Sequence, residues 1–268
     1  MKIVKVLYKY ISALGATMRW HLQYVCYSVF YKKGKPISLI RPDSLGTRVI
    51  LVPHADDEFI GCSQILSNRN EERVCAYFHM YGNNLEESNM RVRDEEIIRY
   101  VTSVGASIVD AREEGVLTRI VSNADSVFLP CPLDWHWQHK EVFNTLVSIL
   151  DRIPESVSFY YYYITVPFPA SYNLVGIPMT RKNQKEKWNA FRRFYKSQSF
   201  MPVLRFMYNE RLDSRGNTCY AAEVYLKRSR EQLLHDSRIT PNEHLLKSSI
   251  GNIIKIRNLS SSFNGLSE

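Results

Sequence analysis

The stretch that decides the fold is VILVPHADDEFIGC at residues 49–62, where an apolar run is followed by one histidine and three acids. The apolar run predicts a buried strand over residues 48–52. A turn needs glycine, asparagine or proline, and at most one carboxylate as a cap. Asp56, Asp57 and Glu58 repel one another unless a positive charge lies among them, so this segment indicates a functional site.

Predicted strands and helices alternate along the rest of the chain. The predicted strands are residues 48–52, 73–80, 107–110, 126–130, 157–166 and 218–226. The predicted helices are residues 59–67, 91–105, 139–151 and 182–198. This alternation predicts an α/β fold, a Rossmann-like three-layer sandwich in which helices cover both faces of a mostly parallel sheet.

The charge of the chain is concentrated at its N-terminus. Residues 1–42 hold eight of the 35 basic residues and no acid, which leaves 27 bases and 27 acids in the remainder. A neutral main body argues against a nucleic-acid partner. The charge and the strand pattern predict an N-terminal arm over residues 1–42, a catalytic domain over 43–226, and a tail over 227–268 that packs on the domain or trails from it. The last residues of the tail are expected to be mobile.

Apolar residues at three- and four-residue steps predict a basic amphipathic helix over residues 1–30. Such a helix either lies on an anionic membrane surface or packs on the catalytic domain with its lysines in water. No apolar run has the roughly 20 residues of a membrane span. The five cysteines are widely spaced without a CxxC pair, which favours a reducing compartment and gives no structural zinc site.

A second polar cluster follows the predicted strand at 126–130. In PLDWHWQHKEVF, residues 132–143, His136 and His139 are three positions apart. Because ligands bind at the carboxyl ends of parallel strands, we expect this segment to lie near the acids that follow the strand at 48–52. Two histidines and a carboxylate are the ligand set of a catalytic Zn²⁺ site, and the same ligands hold Fe²⁺.

The pattern PHADDE followed by HWQH resembles the zinc-dependent deacetylases of the N-acetylglucosaminyl-phosphatidylinositol de-N-acetylase family (PIG-L, or LmbE-like). That family pattern is roughly His-Pro-Asp-Asp-Glu and a distant His-x-Asp-His. Arg93 and Glu96 resemble its Arg-x-x-Glu helix, and KWNAFRRFYKSQ at residues 187–198 resembles its late helix ending in Ser-Gln. The resemblance covers roughly residues 46–226.

The resemblance implies a role for each matching residue. His54, Asp57 and His139 would be the metal ligands. Asp56 would be the general base that activates water and later returns the proton to the departing amine. His136 would stabilise the oxyanion as an imidazolium. A metal ion suits amide hydrolysis because it lowers the pKa of a bound water to about 7.

Other matching positions have supporting roles or depart from the family. Arg93 would contact substrate, with a structural ion pair as the alternative, and Glu58 would support the ligands or the helix start. Ala55 replaces the usual proline. Gln138 replaces an aspartate, and if that aspartate orients His136, Gln138 would lower the pKa of the histidine. Asp134 is a candidate to compensate.

The function implied is removal of an N-acetyl group from a GlcNAc-type amino sugar in a glycan, glycolipid or glycoconjugate precursor. The sugar would be either lipid-linked or part of a soluble thiol-glycoside or antibiotic intermediate. The protein would then be cytoplasmic, with peripheral contact at the inner membrane face through residues 1–30 as an open alternative. A non-catalytic, metal-containing sugar-binding protein is the alternative function. A two-metal phosphoester hydrolase would need further ligands.

Overall fold

A computed structural model describes residues 2–30, 35–81, 85–113, 115–169, 171–214, 219–240, 243–262 and 266, without the side chains of 2–13 and 260–262. The strands are β1 (Ser38–Leu39), β2 (Arg48–Val52), β3 (Arg73–Tyr77), β4 (Ser107–Asp110), β5 (Ser126–Pro130), β6 (Ser158–Tyr162), β7 (Val175–Met179) and β8 (Ala221–Arg228). The helices are α1 (Lys2–Phe30), α2 (Asp57–Ser67), α3 (Glu87–Ser103), α4 (Val116–Ser122), α5 (Trp137–Ser148), α6 (Arg181–Phe194), α7 (Val203–Asp213), α8 (Arg230–Asp236), α9 (Glu243–Ser249) and α10 (Ile253–Ser262).

The strands form one mixed sheet in the order β1-β7-β8-β6-β5-β2-β3-β4. All neighbouring pairs are parallel except those of β8, which runs antiparallel to both β6 and β7. The strand predicted over residues 48–52 is β2, fully buried between β3 and β5. The mostly parallel α/β sheet predicted from the sequence is therefore confirmed.

Side chains alternate across β2 into two separate cores. Val49 and Leu51 pack with residues of α4, α5 and α8, whereas Ile50 and Val52 pack with residues of α2, α3, α6 and α7. This alternation is the period-two pattern of a strand that is covered on both sides. The molecule is accordingly a three-layer sandwich, as predicted.

Several predicted elements end earlier than expected, among them the strand predicted over 157–166 and the helix predicted over 182–198. The strand predicted over 157–166 ends at Tyr162, and three residues later Thr165 donates from its backbone N and its hydroxyl to Asp134. The helix predicted over 182–198 ends at Phe194 and continues as a short 3-10 turn over Lys196–Gln198. Aromatic and charged composition predicts the type of these elements but not the residue at which each ends.

Several elements were not predicted from the sequence. Strand β7 lies inside the sheet and contains Gly176 and Pro178, which strands disfavour. Helices α4 and α7 were also missed, and the strand predicted over 218–226 runs instead over Ala221–Arg228. The sequence predicts mobility for the last residues of the tail, most of which lie outside the described part of the chain. The division into arm, domain and tail stays a prediction.

The backbone of α1 is helical over Lys2–Phe30, and the helix packs against α7 and α10. The side chains of Lys2, Lys5 and Lys9, which carry the predicted basic face, lie outside the described residues. Within the described part of the chain, no helix combines the length and apolarity that crossing a membrane requires.

Candidate metal centre

The two predicted polar clusters meet at one edge of the sheet. Strands β2 and β5 are parallel neighbours, so the segments that follow them emerge side by side. Asp56 precedes α2 with a φ of 125°, a strained backbone conformation for a residue with a side chain. Strain of this kind costs on the order of 1–3 kcal/mol and clusters at functional sites. Helix α2 approaches β6 so closely at Gly61 that an added Cβ there would lie 2.5 Å from the Tyr162 ring. Only glycine therefore fits at this position.

Three side-chain atoms form a compact triangle at this edge. His54 Nδ1 lies 2.9 Å from Asp57 Oδ2 and 3.2 Å from His139 Nε2. His139 Nε2 lies 3.3 Å from Asp57 Oδ2. Within the described residues, these side chains are a group able to hold a metal ion, and all three are largely buried. The structure thus brings together the three ligands that the sequence predicted.

The triangle fits a zinc ion. Ligands of a tetrahedral Zn²⁺ with bonds of about 2.1 Å are separated from one another by about 3.4 Å. The triangle also attracts positive charge: burial would lower the pKa of His139, but the charges of Asp57 and Asp134 raise it to about 10. Without a metal ion, the positive charge of the buried His139 imidazolium balances these carboxylates, as the charge of a bound cation would.

The pKa of Asp57 shifts in the opposite direction. Burial acts to raise it, but the charges of His139 and His54 hold the pKa of Asp57 well below its usual range. Asp57 is therefore ionised at neutral pH, as a metal ligand must be.

Each histidine of the triangle is oriented by a second polar group. Gln138 Oε1 lies 2.7 Å from His54 Nε2, and the Gln138 amide donates to the carbonyl of Tyr81 at 3.1 Å. Because an amide oxygen only accepts, His54 Nε2 carries the proton and Nδ1 faces the triangle. Asp134 Oδ2 lies 3.2 Å from His139 Nδ1 and forms an ion pair with the ring, although the geometry is not that of a hydrogen bond.

The contact of Gln138 corrects a sequence expectation. Gln138 was expected to act on His136, but its side chain contacts His54 instead. Burial, followed by the nearby charges of His54 and His139, lowers the pKa of His136 to about 4. This low pKa favours a neutral His136 ring at neutral pH, whereas the resemblance implied an imidazolium, and the role of His136 stays a prediction. Its Nδ1 is buried and has no hydrogen-bond partner among the described residues.

Asp56 lies beside the triangle but outside it. It is buried, and its Oδ2 has no hydrogen-bond partner in the described part of the chain. Burial first, and then the charges of Asp57 and Glu58, raise the pKa of Asp56 well above its ordinary value. Asp56 is thus the acid of this segment with both an open oxygen and a tendency to hold a proton.

Glu58 is fully buried away from the triangle. It accepts hydrogen bonds from the backbone N of Asp56 at 3.1 Å and from the hydroxyl of Tyr195. Burial raises the pKa of Glu58 to about 8. These contacts fit the supporting role expected of Glu58, and they hold the loop that carries Asp56.

The two weaker sequence matches contact each other and the site. Glu96 of α3 accepts hydrogen bonds from the backbone N and the hydroxyl of Ser197, at 2.9 and 2.5 Å. Gln198, the next residue, donates to the carbonyl of Ala55 at 2.9 Å. Sequence reasoning did not find these contacts, nor that of Tyr195 with Glu58, because they join segments about a hundred residues apart.

A cavity of about 490 Å³ opens above the triangle. Its polar floor includes Asp56, His136 and the metal-ligand triangle, and the half-buried Arg93 lies in its wall. The charge of Arg93 acts to lower the pKa of Asp56, which places the guanidinium near the carboxylate. Apolar side chains line the rest, namely Leu85, Ile164, Phe200 and Met201. The volume lies in the range of small-molecule sites.

Comparison with known proteins supports the fold. The sequence matches no protein-family model and no curated protein. Among solved structures, the A40926 pseudoaglycone deacetylase Dbv21 aligns with a TM-score of 0.50 and 11% identity over 69% of this chain and 98% of its own. Two structures of a teicoplanin deacetylase, Orf2, one of them a zinc-inhibited form, align at TM-scores of 0.48. They too are 11% identical and cover 68% of this chain, and 98% and 97% of their own. This chain therefore has the α/β fold of the Dbv21 deacetylase.

Proposed function

We propose that this protein is a metal-dependent hydrolase that removes the N-acetyl group from an amino sugar of the GlcNAc type. The observation that carries the proposal is the triangle of His54, Asp57 and His139 beside Asp56, whose buried carboxylate oxygen has no hydrogen-bond partner among the described residues. The fold shared with the Dbv21 deacetylase agrees with this chemistry but does not by itself assign it.

His54, Asp57 and His139 would hold Zn²⁺, or Fe²⁺ with the same ligands. The ion would supply a nucleophile by lowering the pKa of a water to about 7. Asp56 would remove a proton from that water and return it to the amine nitrogen as the carbon–nitrogen bond breaks, so that acetate and the free amino sugar leave. A raised pKa suits this double role, because the group must both accept and release a proton near neutral pH.

His136 and Arg93 would act on the substrate itself. A neutral His136 can donate one ring N–H to the amide oxygen, where negative charge develops as the water adds. Arg93, in the cavity wall, can donate to sugar hydroxyls and keeps a positive charge close to Asp56.

We also propose that the amino sugar is lipid-linked and that the protein works in the cytoplasm at the inner membrane face. The apolar part of the cavity lining and the basic N-terminal segment support a lipid-linked substrate over a soluble conjugate. The five cysteines are free thiols, which suits a reducing compartment. Faster release of acetate from a lipid-linked substrate than from its water-soluble headgroup would support this choice, and the reverse ranking would contradict it.

The proposed reaction is tested by acetate release from N-acetylglucosamine-containing substrates with zinc-reconstituted protein. Asp56→Asn should lower the rate by about a hundredfold to ten-thousandfold, the usual share of a general acid–base residue, while one metal ion stays bound. Asp151→Asn, which changes an exposed carboxylate, is the matched control and should keep full activity.

Metal and sugar binding without acetate release from any substrate would favour the alternative, a non-catalytic sugar-binding protein. The unpartnered Nδ1 of His136 is the observation on that side, because no described residue forms a hydrogen bond with that nitrogen.

A further inference from the structure

Helix α1 attaches to the domain through its aromatic and polar face. The indole of Trp20 donates to the carbonyl of Gly251 at 3.1 Å, and Tyr24 stacks on Tyr208 of α7 with 4.5 Å between the ring centroids. These contacts place the C-terminal half of α1 firmly on the domain. The face so used is not the most apolar one that the sequence offers.

The aliphatic face of α1 points away from the domain and is exposed. Its side chains recur at steps of four, four, three and four residues, the spacing of one continuous stripe on a helix. They are Leu14, Met18, Leu22, Val25 and Val29, with exposures of 62%, 59%, 61%, 43% and 67%. We call these five residues the α1 stripe. A contiguous apolar surface of this kind marks an interaction site.

Charge decides between the two occupants that could cover the α1 stripe. Helix α1 contains four basic side chains and no acid, so a second copy of α1 against the first would bring eight like charges together. An anionic lipid surface accepts both the apolar stripe and the net positive charge of the N-terminal sequence. We propose that α1 docks the protein on an anionic membrane surface through the α1 stripe.

The position of α1 relates the docking surface to the cavity. Trp20 lies at the turn formed by residues 250–251, to which Arg205 donates from the first turn of α7. Tyr24, one helical turn further on, lies on Tyr208, one turn along α7. The two helices therefore run in the same direction. The N-terminal half of α1 therefore extends toward the start of α7, which follows the cavity-lining residues Phe200 and Met201 in the chain.

Sedimentation of the full-length protein with vesicles tests the proposal. Vesicles of phosphatidylcholine with phosphatidylglycerol should pellet the protein, and vesicles of phosphatidylcholine alone should not. Introducing Met18→Glu and Leu22→Glu together should lower the partition coefficient by about tenfold or more, because apolar contact is lost and repulsion is added. Ile98→Glu with Leu234→Glu, at positions 47% and 46% exposed on other helices, adds the same charge and should change binding little.

Equal pelleting of the stripe variant and the wild type would overturn the proposal, as would equal binding to both kinds of vesicle. A wild-type dimer that the stripe variant converts to monomer, without any vesicle binding, would assign the α1 stripe to a second copy instead. The readout needs no turnover. A deacetylase that fails to bind vesicles and a vesicle-binding protein that releases no acetate are therefore distinguishable results.

Discussion

Two clusters of buried charge in this protein are built in opposite ways. The core ion cluster consists of Lys187, Glu210 and Glu223, between α6, α7 and β8. The Lys187 ammonium donates to both carboxylates, at 2.7 and 2.6 Å, and to the carbonyl of Ile60 at 3.0 Å. Each of its three hydrogens thus has an acceptor.

The carboxylates of the core ion cluster are equally well satisfied. Glu210 also accepts from the indole of Trp188 and the amide of Gln184, at 2.9 and 2.7 Å. Glu223 accepts from the backbone N of Gln64 and the hydroxyl of Tyr225, both at 2.9 Å. A fully paired network of this kind fixes the relative position of the elements it joins.

The polar side chains of the candidate metal centre are paired less completely than those of the core ion cluster. Asp56 Oδ2 and His136 Nδ1 are buried without hydrogen-bond partners in the described residues, and Asp56 has a strained backbone. Buried polar groups are nearly always paired, so an unpaired one needs an explanation. The comparison teaches that the core ion cluster is completely paired, whereas the candidate metal centre keeps open buried atoms next to its three ligands.

Removing the ammonium from the core ion cluster should have the largest effect on stability. Lys187→Met leaves two buried carboxylates without their counter-charge, which we expect to lower the free energy of unfolding by about 3–5 kcal/mol. Urea unfolding at neutral pH measures the loss. The loss should shrink as the pH falls, because protonation removes the uncompensated charge.

Lys185→Met is the matched control for that experiment. Lys185 is exposed on the same helix, two residues away, so its loss should change the free energy of unfolding by less than about 0.5 kcal/mol. Equal stability of the two variants would show that the core ion cluster is not a structural requirement, and the contrast with the metal centre would fail.

Removing the acceptor that orients His54 should weaken metal binding. Gln138→Leu deletes the oxygen 2.7 Å from His54 Nε2, and losses of such supporting contacts usually cost about 10- to 100-fold in metal affinity. Competition with a chromophoric zinc chelator measures the change. Gln138→Glu keeps an acceptor at the same place and should retain affinity within a few-fold. Tight binding by Gln138→Leu would mean that the triangle needs no support from Gln138.

The residues of the candidate metal centre that directly follow a recognisable strand were predictable from the sequence. His54, Asp57 and the acids next to them follow a strand that is recognisable from its apolar run, and the topology of parallel strands brings His139 to the same edge. The supporting contacts were not predictable in this way. Gln138 and His54 are 84 positions apart, and nothing in either segment specifies which ring the amide contacts.

The faces of α1 show a second limit of sequence reasoning. Periodicity predicts an amphipathic helix, and the usual expectation is that its apolar stripe is buried. The structure instead packs aromatic and polar side chains such as the half-buried Tyr24 against the domain and exposes Leu22. The choice depends on the stacking partner Tyr208 and on backbone acceptors from the C-terminal segment, which lie far away in the sequence.

Glu58 gives the prediction with the smallest expected effect, and it tests directly whether the acids of the candidate metal centre carry charge in the folded protein. Burial raises its pKa to about 8 from an ordinary value of 4.5, so the folded protein keeps a proton that the unfolded chain releases. The stability that this proton contributes is fully present below about pH 4.5 and is lost as the pH rises toward 8. In metal-stripped protein, the wild type should therefore lose about 1 kcal/mol more than Glu58→Gln between pH 6 and pH 7.

Urea unfolding at the two pH values measures that difference, and the constant cost of the substitution cancels because only slopes are compared. Glu95→Gln removes an exposed carboxyl on α3 and should keep the wild-type slope. Parallel slopes for wild type and Glu58→Gln would mean that Glu58 is ionised in the folded protein. The segment would then hold the negative charges of Asp57 and Glu58 before any metal binds, and the unpaired oxygen of Asp56 would belong to a site already charged for a cation.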